Sequence, residues 1–274
     1  MRFIDILRVL KAKMILKTKI FFRYPLNIFY FIVDPIIWIS PFYFMSKSFT
    51  TNGVSKGFEA YTGSGNYIGF LVIGFMITAY SSAALWSLGF SLKNEMMEGV
   101  LESNWSTPVS KPVLMFSSTI FEFTKATIEV ICTGLVCHFI FGFTINGEIL
   151  KAILFLIPGI IALMGLGLIV ASEVLIIKNA NVIVDVSNAL LNGFSGGYFP
   201  VQVFPKYLLP IAFAIPLTFM NDSLRAILID QTPIIPLKFQ FIFLIVFMII
   251  LVFLGNIIFR IIEKRCRDNG VSGY

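Results

Sequence analysis

Glu122, Lys125 and Glu129 stand at i, i+3 and i+7 in an otherwise apolar stretch, so one helical face would carry an acid, a base and an acid. A charge at the centre of a membrane helix costs about 2.5–3.5 kcal/mol on insertion scales, and three on one face require either partners or a task. Two readings stand side by side. The three can form a hydrophilic relay, extended by Glu173 and Asp185, or a salt-bridge ladder that only holds helices together. Asn188, Asn192 and Ser195 repeat at i, i+4 and i+7 and make a polar stripe that could line a path. Glu95, Glu98 and Glu102 repeat the i, i+3, i+7 spacing in a segment between apolar runs.

Catalytic and metal chemistry find little to work with. A single histidine, His138, excludes a two-histidine metal site and reads as a hydrogen-bonded packing residue. Cys132, Cys137 and Cys266 offer neither a disulfide framework nor paired metal-ligand spacing. The chain contains no GxxxxGK[ST], so it holds no nucleotide in a P-loop, and any ATP must act through another subunit. No catalytic site, metal site or cofactor of its own is expected.

The elements that must position these groups follow from composition. The 274 residues are 57% hydrophobic and 13% charged, with a mean hydropathy of +0.88. Soluble domains carry about 25% charged residues, so most side chains here need a solvent other than water, and an all-α integral membrane protein is expected. The net charge of +6 collects at the ends of apolar runs and not on one basic face, which argues against nucleic acid as a partner. The thirty phenylalanines are expected mostly to fill gaps between helices and meet acyl chains.

A helix needs roughly 20 residues to cross about 30 Å of hydrocarbon. Uncharged runs at 67–92 and 239–259 meet this, as do 24–46 with Asp34, 113–142 with Glu122, Lys125 and Glu129, and 152–177 with Glu173. The region 182–220 is interrupted by Gly193, Gly196, Gly197, Pro200, Pro205, Pro210 and Pro216, and charge decides its parity. Lys and Arg accumulate in short cytoplasmic loops. Arg2, Arg8, Lys11, Lys13, Lys17, Lys19 and Arg23 precede the first run, and Arg260, Lys264, Arg265 and Arg267 follow the last. With both termini cytoplasmic the spans number six, 182–199 crosses, and 207–220 is a short re-entrant or outer piece marked by Gly196, Gly197, Pro200, Pro210 and Pro216. Arg225 then counts as an outer charge, and the outer loop is expected to be reachable at Lys206 or Gln231. Gly193 with Gly197, and Gly65 with Gly69, form GxxxG pairs that can serve close helix contact, although chance supplies such pairs in so apolar a chain.

Residues 1–23 alternate apolar and basic positions without a cleavable apolar core, so a leader is not expected. On a helical projection Phe3, Ile6, Leu7, Leu10, Met14 and Phe21 share one arc, while Arg8, Lys11 and Lys19 lie opposite. This is the pattern of an interfacial helix with basic residues toward anionic lipid headgroups. Lys17 breaks the stripe and is expected to snorkel. The acidic segment 93–112 would be repelled by such a surface, so its carboxylates are expected to face a protein.

Glu95-Met96-Met97-Glu98-Gly99-Val100-Leu101-Glu102, followed by Thr107-Pro108-Val109-Ser110, resembles the cytoplasmic loop of the ABC-2 type permeases of ABC transporters, whose usual form is E-x-x-E-G-T-L-E-x-L-x-x-T-P-V-S. Val100 and Ser103-Asn104-Trp105 depart from it. Asn192 to Pro200, Leu209-Pro210, Ile215-Pro216-Leu217-Thr218 and Leu224-Arg225 are similar to the family's S-G-x-x-F-P and P-L-T segments. The resemblance implies a coupling helix between spans 2 and 3, formed by Glu95, Glu98, Gly99 and Glu102 and closed by Thr107 and Pro108, docked on a separate ATPase. It further implies two ATPase subunits per complex supplying ATP and Mg, a second permease chain, identical or related, and export across the cell membrane. A secondary transporter or membrane-embedded enzyme using the intramembrane charges is the alternative. Inverted repeats would favour the former, yet only one interrupted region exists.

Overall fold

A computed structural model describes residues 3–49, 56–97, 111–177 and 180–268. Those residues are helical apart from short connections, with no strand among them. In chain order the helices are α1 (Phe3–Arg23), α2 (Leu26–Phe49), α3 (Lys56–Thr62), α4 (Tyr67–Met97), α5 (Lys111–Phe141) and α6 (Ile149–Ile177). Then follow α7 (Ala180–Phe194), a 3-10 turn at Val201–Val203, α8 (Leu209–Phe213), α9 (Pro216–Leu228) and α10 (Leu237–Asp268). Among the described residues five helices, α2, α4, α5, α6 and α10, are long and apolar enough to cross a membrane.

The crossing expected at 182–199 differs. Helix α7 has 15 residues, so it is only about 22 Å long and short of the hydrocarbon thickness by itself. It stops where Gly196 takes a φ of +74°, a left-handed conformation that glycine adopts without a Cβ clash.

The core lies where α4, α6, α9 and α10 meet, around Ile73, Ile77, Leu163, Leu217, Met220 and Leu244. Helices α6 and α10 make the most extensive contact, and glycine permits it. A Cβ on Gly165 would sit 2.5 Å from the Leu251 carbonyl carbon, and one on Gly255 would sit 2.5 Å from the Gly165 oxygen. Small residues of this kind let backbones approach where lipid provides no hydrophobic drive. Of the GxxxG glycines, Gly197 makes a close backbone approach of this kind, its oxygen lying against Gly74 of α4. A Cβ on Gly193 would meet nothing within 4 Å, and one on Gly69 would meet only the side chain of nearby Asn66. Large apolar side chains such as Phe139, Leu150, Ile249 and Phe253 are exposed around the bundle, as a lipid-facing surface requires.

Helix α9 is buried on nearly every side. Its C-terminal end is tied to two other connections, since the Asn146 N–H donates to the Leu228 carbonyl at 3.0 Å and the Thr232 hydroxyl donates to the Thr62 carbonyl at 2.6 Å. Ile227 packs at Gly147 and Met220 at Gly159, so α9 runs antiparallel to the first half of α6. Pro210 and Pro216 both lie in first helical turns, where the missing proline N–H costs no hydrogen bond. The residues read as outer loop thus include a helix inside the protein. Arg225 is 3% exposed and Gln231 5%. Neither is an outer-surface group, because each is packed among α9 and its neighbours and the sequence count could not see that packing.

Candidate functional site

Along α4 the small and polar positions Thr78, Ala79, Ser82 and Ala83 form the floor of an open cleft of about 940 Å³. Its α4 wall extends from Phe75 to Phe90, about 22 Å of helix. Helices α1, α2, α5 and α7 supply the remaining walls. Ser87 donates to Thr119 at 2.9 Å and Tyr80 donates to Thr127 at 3.2 Å, which pins α4 to α5.

Charged groups from four helices meet at this cleft: Lys17 of α1, Asp34 of α2, Glu122, Lys125 and Glu129 of α5, and Asp185 of α7. The intramembrane triad is asymmetric. Lys125 Nζ lies 3.0 Å from Glu122 Oε2, and Lys17 Nζ lies 3.2 Å from Glu122 Oε1, so one carboxylate binds two ammonium groups. Glu129 has no ion pair among the described residues, and it shares its surroundings with Asp34. Asp34 is 7% exposed and is faced by the Tyr30 hydroxyl. Of the two further acids considered for a relay, Asp185 reaches the cleft and Glu173 does not, because it points outward from α6.

Lys17 finds a protein partner in Glu122. Lys13 Nζ lies 3.5 Å from Ser118 Oγ, and the Lys17–Glu122 pair has the same offset in sequence, so α1 runs beside α5 in the same direction. The residue that interrupts the apolar stripe is the one that needs the facing acid. Ile15, Leu16, Ile20 and Phe22 on the rest of α1 are exposed and available to acyl chains.

The polar stripe of α7 divides. Asn188 and Asn192 line the cleft. Asn188 Oδ1 accepts from Asn192 Nδ2 at 2.8 Å and from Ser82 at 3.4 Å, while Ser81 donates to Asn192 Oδ1 at 3.2 Å. Ser195 is fully buried and away from the cleft. It accepts from Asn221 Nδ2 through its carbonyl at 3.2 Å and its hydroxyl at 3.3 Å, which anchors α7 to α9.

Sequence reasoning missed the arginine that holds the turn after α7. Arg225 donates from Nη1 to the Gly196 carbonyl at 2.7 Å, from Nη2 to the Gly197 carbonyl at 2.7 Å and from Nε to the Phe70 carbonyl at 3.1 Å. Its guanidinium also lies 3.3 Å from the centroid of the Phe70 ring. Asp222, one turn earlier, accepts from the Ile234 N–H at 2.9 Å and Gln240 Nε2 at 2.6 Å. Gly196 and Gly197 therefore present carbonyls to one fork, and a Cβ on Gly74 would clash with the Gly197 oxygen. An Asp and an Arg three residues apart between prolines was the available signal. Pro200, whose side chain is buried, precedes the 3-10 turn. His138 Nδ1 lies 2.7 Å from the Phe143 carbonyl at the end of α5.

The coupling residues cannot be placed in the same way. The Glu95 backbone belongs to the end of α4, and Glu98, Gly99, Glu102, Thr107 and Pro108 lie outside the described residues. Among the described residues no group of acidic, histidine or cysteine side chains could hold a metal ion.

Apolar helices thus pack around a long cleft lined by both charged and aromatic groups. The sequence model of the ABC-2 type transporter matches residues 18–229, well over half of the chain, and the protein belongs to that family. It is accordingly a multi-pass membrane permease subunit of a kind that associates with ABC ATPases. No curated protein matches the sequence.

Proposed function

We propose that the chain is the membrane subunit of an ATP-driven exporter, in which two permease chains stand on two ATPase subunits and the cleft of each chain is part of the path. The observation that supports this most directly is the convergence of Lys17, Asp34, Glu122, Glu129, Asp185 and Asn188 on one cleft in a chain of the ABC-2 family. In this reading the chain crosses six times with both ends in the cytoplasm. Helix α7 makes the fifth crossing together with the glycine turn that Arg225 holds, and α8 and α9 form a re-entrant pair. Backbone that leaves a helix at membrane depth must be satisfied by protein, as the Gly196 and Gly197 carbonyls are.

The Glu95 to Pro108 loop then carries work from the ATPase. Glu95, Glu98 and Glu102 supply charges for basic groups on the partner, Gly99 allows close backbone approach, and Thr107-Pro108 fixes the exit before α5. ATP and Mg belong to the partner. Glu98→Lys tests this: the permease should insert at near-normal abundance but show lowered co-purification with its ATPase and no transport, while Ser103→Ala keeps both co-purification and transport. Unchanged ATPase binding and transport in both Glu98→Lys and Glu102→Lys would overturn the reading.

A further inference from the structure

We infer that the cleft takes an amphipathic organic cation, one with a delocalised or alkylated positive charge on an apolar body; this rests on reading the cleft as the permease's path. Charge balance comes first. Four carboxylates, Asp34, Glu122, Glu129 and Asp185, line the cleft against two ammonium groups, Lys17 and Lys125. Both ammonium groups are within 3.2 Å of the same acid, Glu122. Asp34, Glu129 and Asp185 therefore have no ion pair among the described residues. Asp34 is the most buried of the four, and its field reaches Glu129 alongside the larger, opposing field of Lys125, which is itself held by Glu122. Two like charges in a poorly solvated space repel each other, and a guest cation between them relieves that repulsion.

The walls select the rest of the molecule. Trp86 and Phe90 stack with centroids 4.6 Å apart and planes 20° apart, giving one flat aromatic surface. Tyr198 stacks on Phe42 at 6.1 Å near the opposite end, and Trp38 is 58% exposed beside Asp34. Aromatic faces attract cations, best where water is thin, and they are indifferent or repellent to anions. The cleft volume of about 940 Å³ suits a drug-sized ligand, for which pockets of roughly 300–1,000 Å³ are usual. An inorganic cation would leave the aromatic surface unused, and an anion would meet the three unpaired acids.

A pair of ions with one shape and opposite charge tests the inference. The purified full chain in phosphatidylcholine nanodiscs is dialysed against tetraphenylphosphonium or tetraphenylborate, and retention above empty discs is measured. The expected result is saturable retention of the phosphonium only, weakened about tenfold or more in Asp34→Asn/Glu129→Gln and unchanged in Glu173→Gln, which removes an acid outside the cleft. Equal retention of both ions, preference for the borate, no saturable retention of either, or wild-type affinity in Asp34→Asn/Glu129→Gln would each overturn it. ATPase co-purification is scored separately on the same preparations, so failure of the cation inference and failure of the permease reading appear as different results.

Discussion

Lys17 of α1 and Lys125 of α5 bind opposite oxygens of one carboxylate, Glu122, at 3.2 and 3.0 Å. The N-terminal helix is thereby fastened to the third membrane helix at the edge of the cleft. Removing Lys125 leaves Glu122 with Lys17, whereas removing Glu122 strands two ammonium groups. Glu122→Gln should therefore destabilise the protein more than Lys125→Met. The groups are partly exposed, so the difference is expected near 1 kcal/mol, read as a few degrees in a melting scan in detergent. Lys17→Met/Glu122→Gln/Lys125→Met should recover most of the loss. If that variant folds and transports, the charges are structural; the reverse ranking of the single variants would contradict the shared-carboxylate arrangement.

Arg225 satisfies three carbonyls that no other described side chain reaches. Arg225→Met should cost about 3–5 kcal/mol, the usual penalty for breaking a buried charged network, and show as loss of monodisperse protein on size-exclusion. Arg225→Lys should rescue little, because a point charge cannot replace a planar fork. Normal yield and melting of Arg225→Met would refute the role given to the turn.

Two glycines of similar appearance in the sequence should respond oppositely. Gly165→Ala forces its Cβ against the α10 backbone and should cost about 1–3 kcal/mol by overpacking. Gly193→Ala meets open space and should be neutral or stabilising by up to about 1 kcal/mol through helix propensity. Melting of the two variants side by side decides it.

The long apolar runs made α2, α4, α5, α6 and α10 legible, since length and hydropathy alone define a spanning helix. Helix α7 was legible as an element but not as a short one, because Val182 to Phe199 remains apolar past the point where Gly196 turns the chain. Of helix α9, the sequence marked a re-entrant or outer piece over 207–220 but not its burial through Arg225. Its Arg225 counted as an outer charge, yet it is buried, as are Asn221, Asp222 and Ser223 beside it, and Asn221, Asp222 and Arg225 hold partners from other elements. At the cleft, the Glu122–Lys125–Glu129 spacing marked the right face of α5, and Asn188 with Asn192 marked α7. What spacing could not supply was Lys17 and Asp34, which arrive from helices distant in sequence and complete the charge pattern only after packing.

Topology follows from single cysteines in a background lacking Cys132, Cys137 and Cys266. In intact cells an impermeant thiol reagent should label Lys206→Cys and spare Asp268→Cys. Gln231→Cys should react poorly despite lying in a nominal loop, because that position is buried. Labelling at 268 would sink the six-crossing arrangement.

The account depends most on the cleft being a path driven by the ATPase. The direct measurement is the reaction rate of Asn188→Cys with a water-soluble thiol reagent, in the same cysteine-free background, on the permease–ATPase complex with and without a slowly hydrolysed ATP analogue. The rate should change several-fold with nucleotide as two conformations exchange populations, and Glu98→Lys should abolish that change. A rate independent of nucleotide, with the ATPase still bound, would contradict the account.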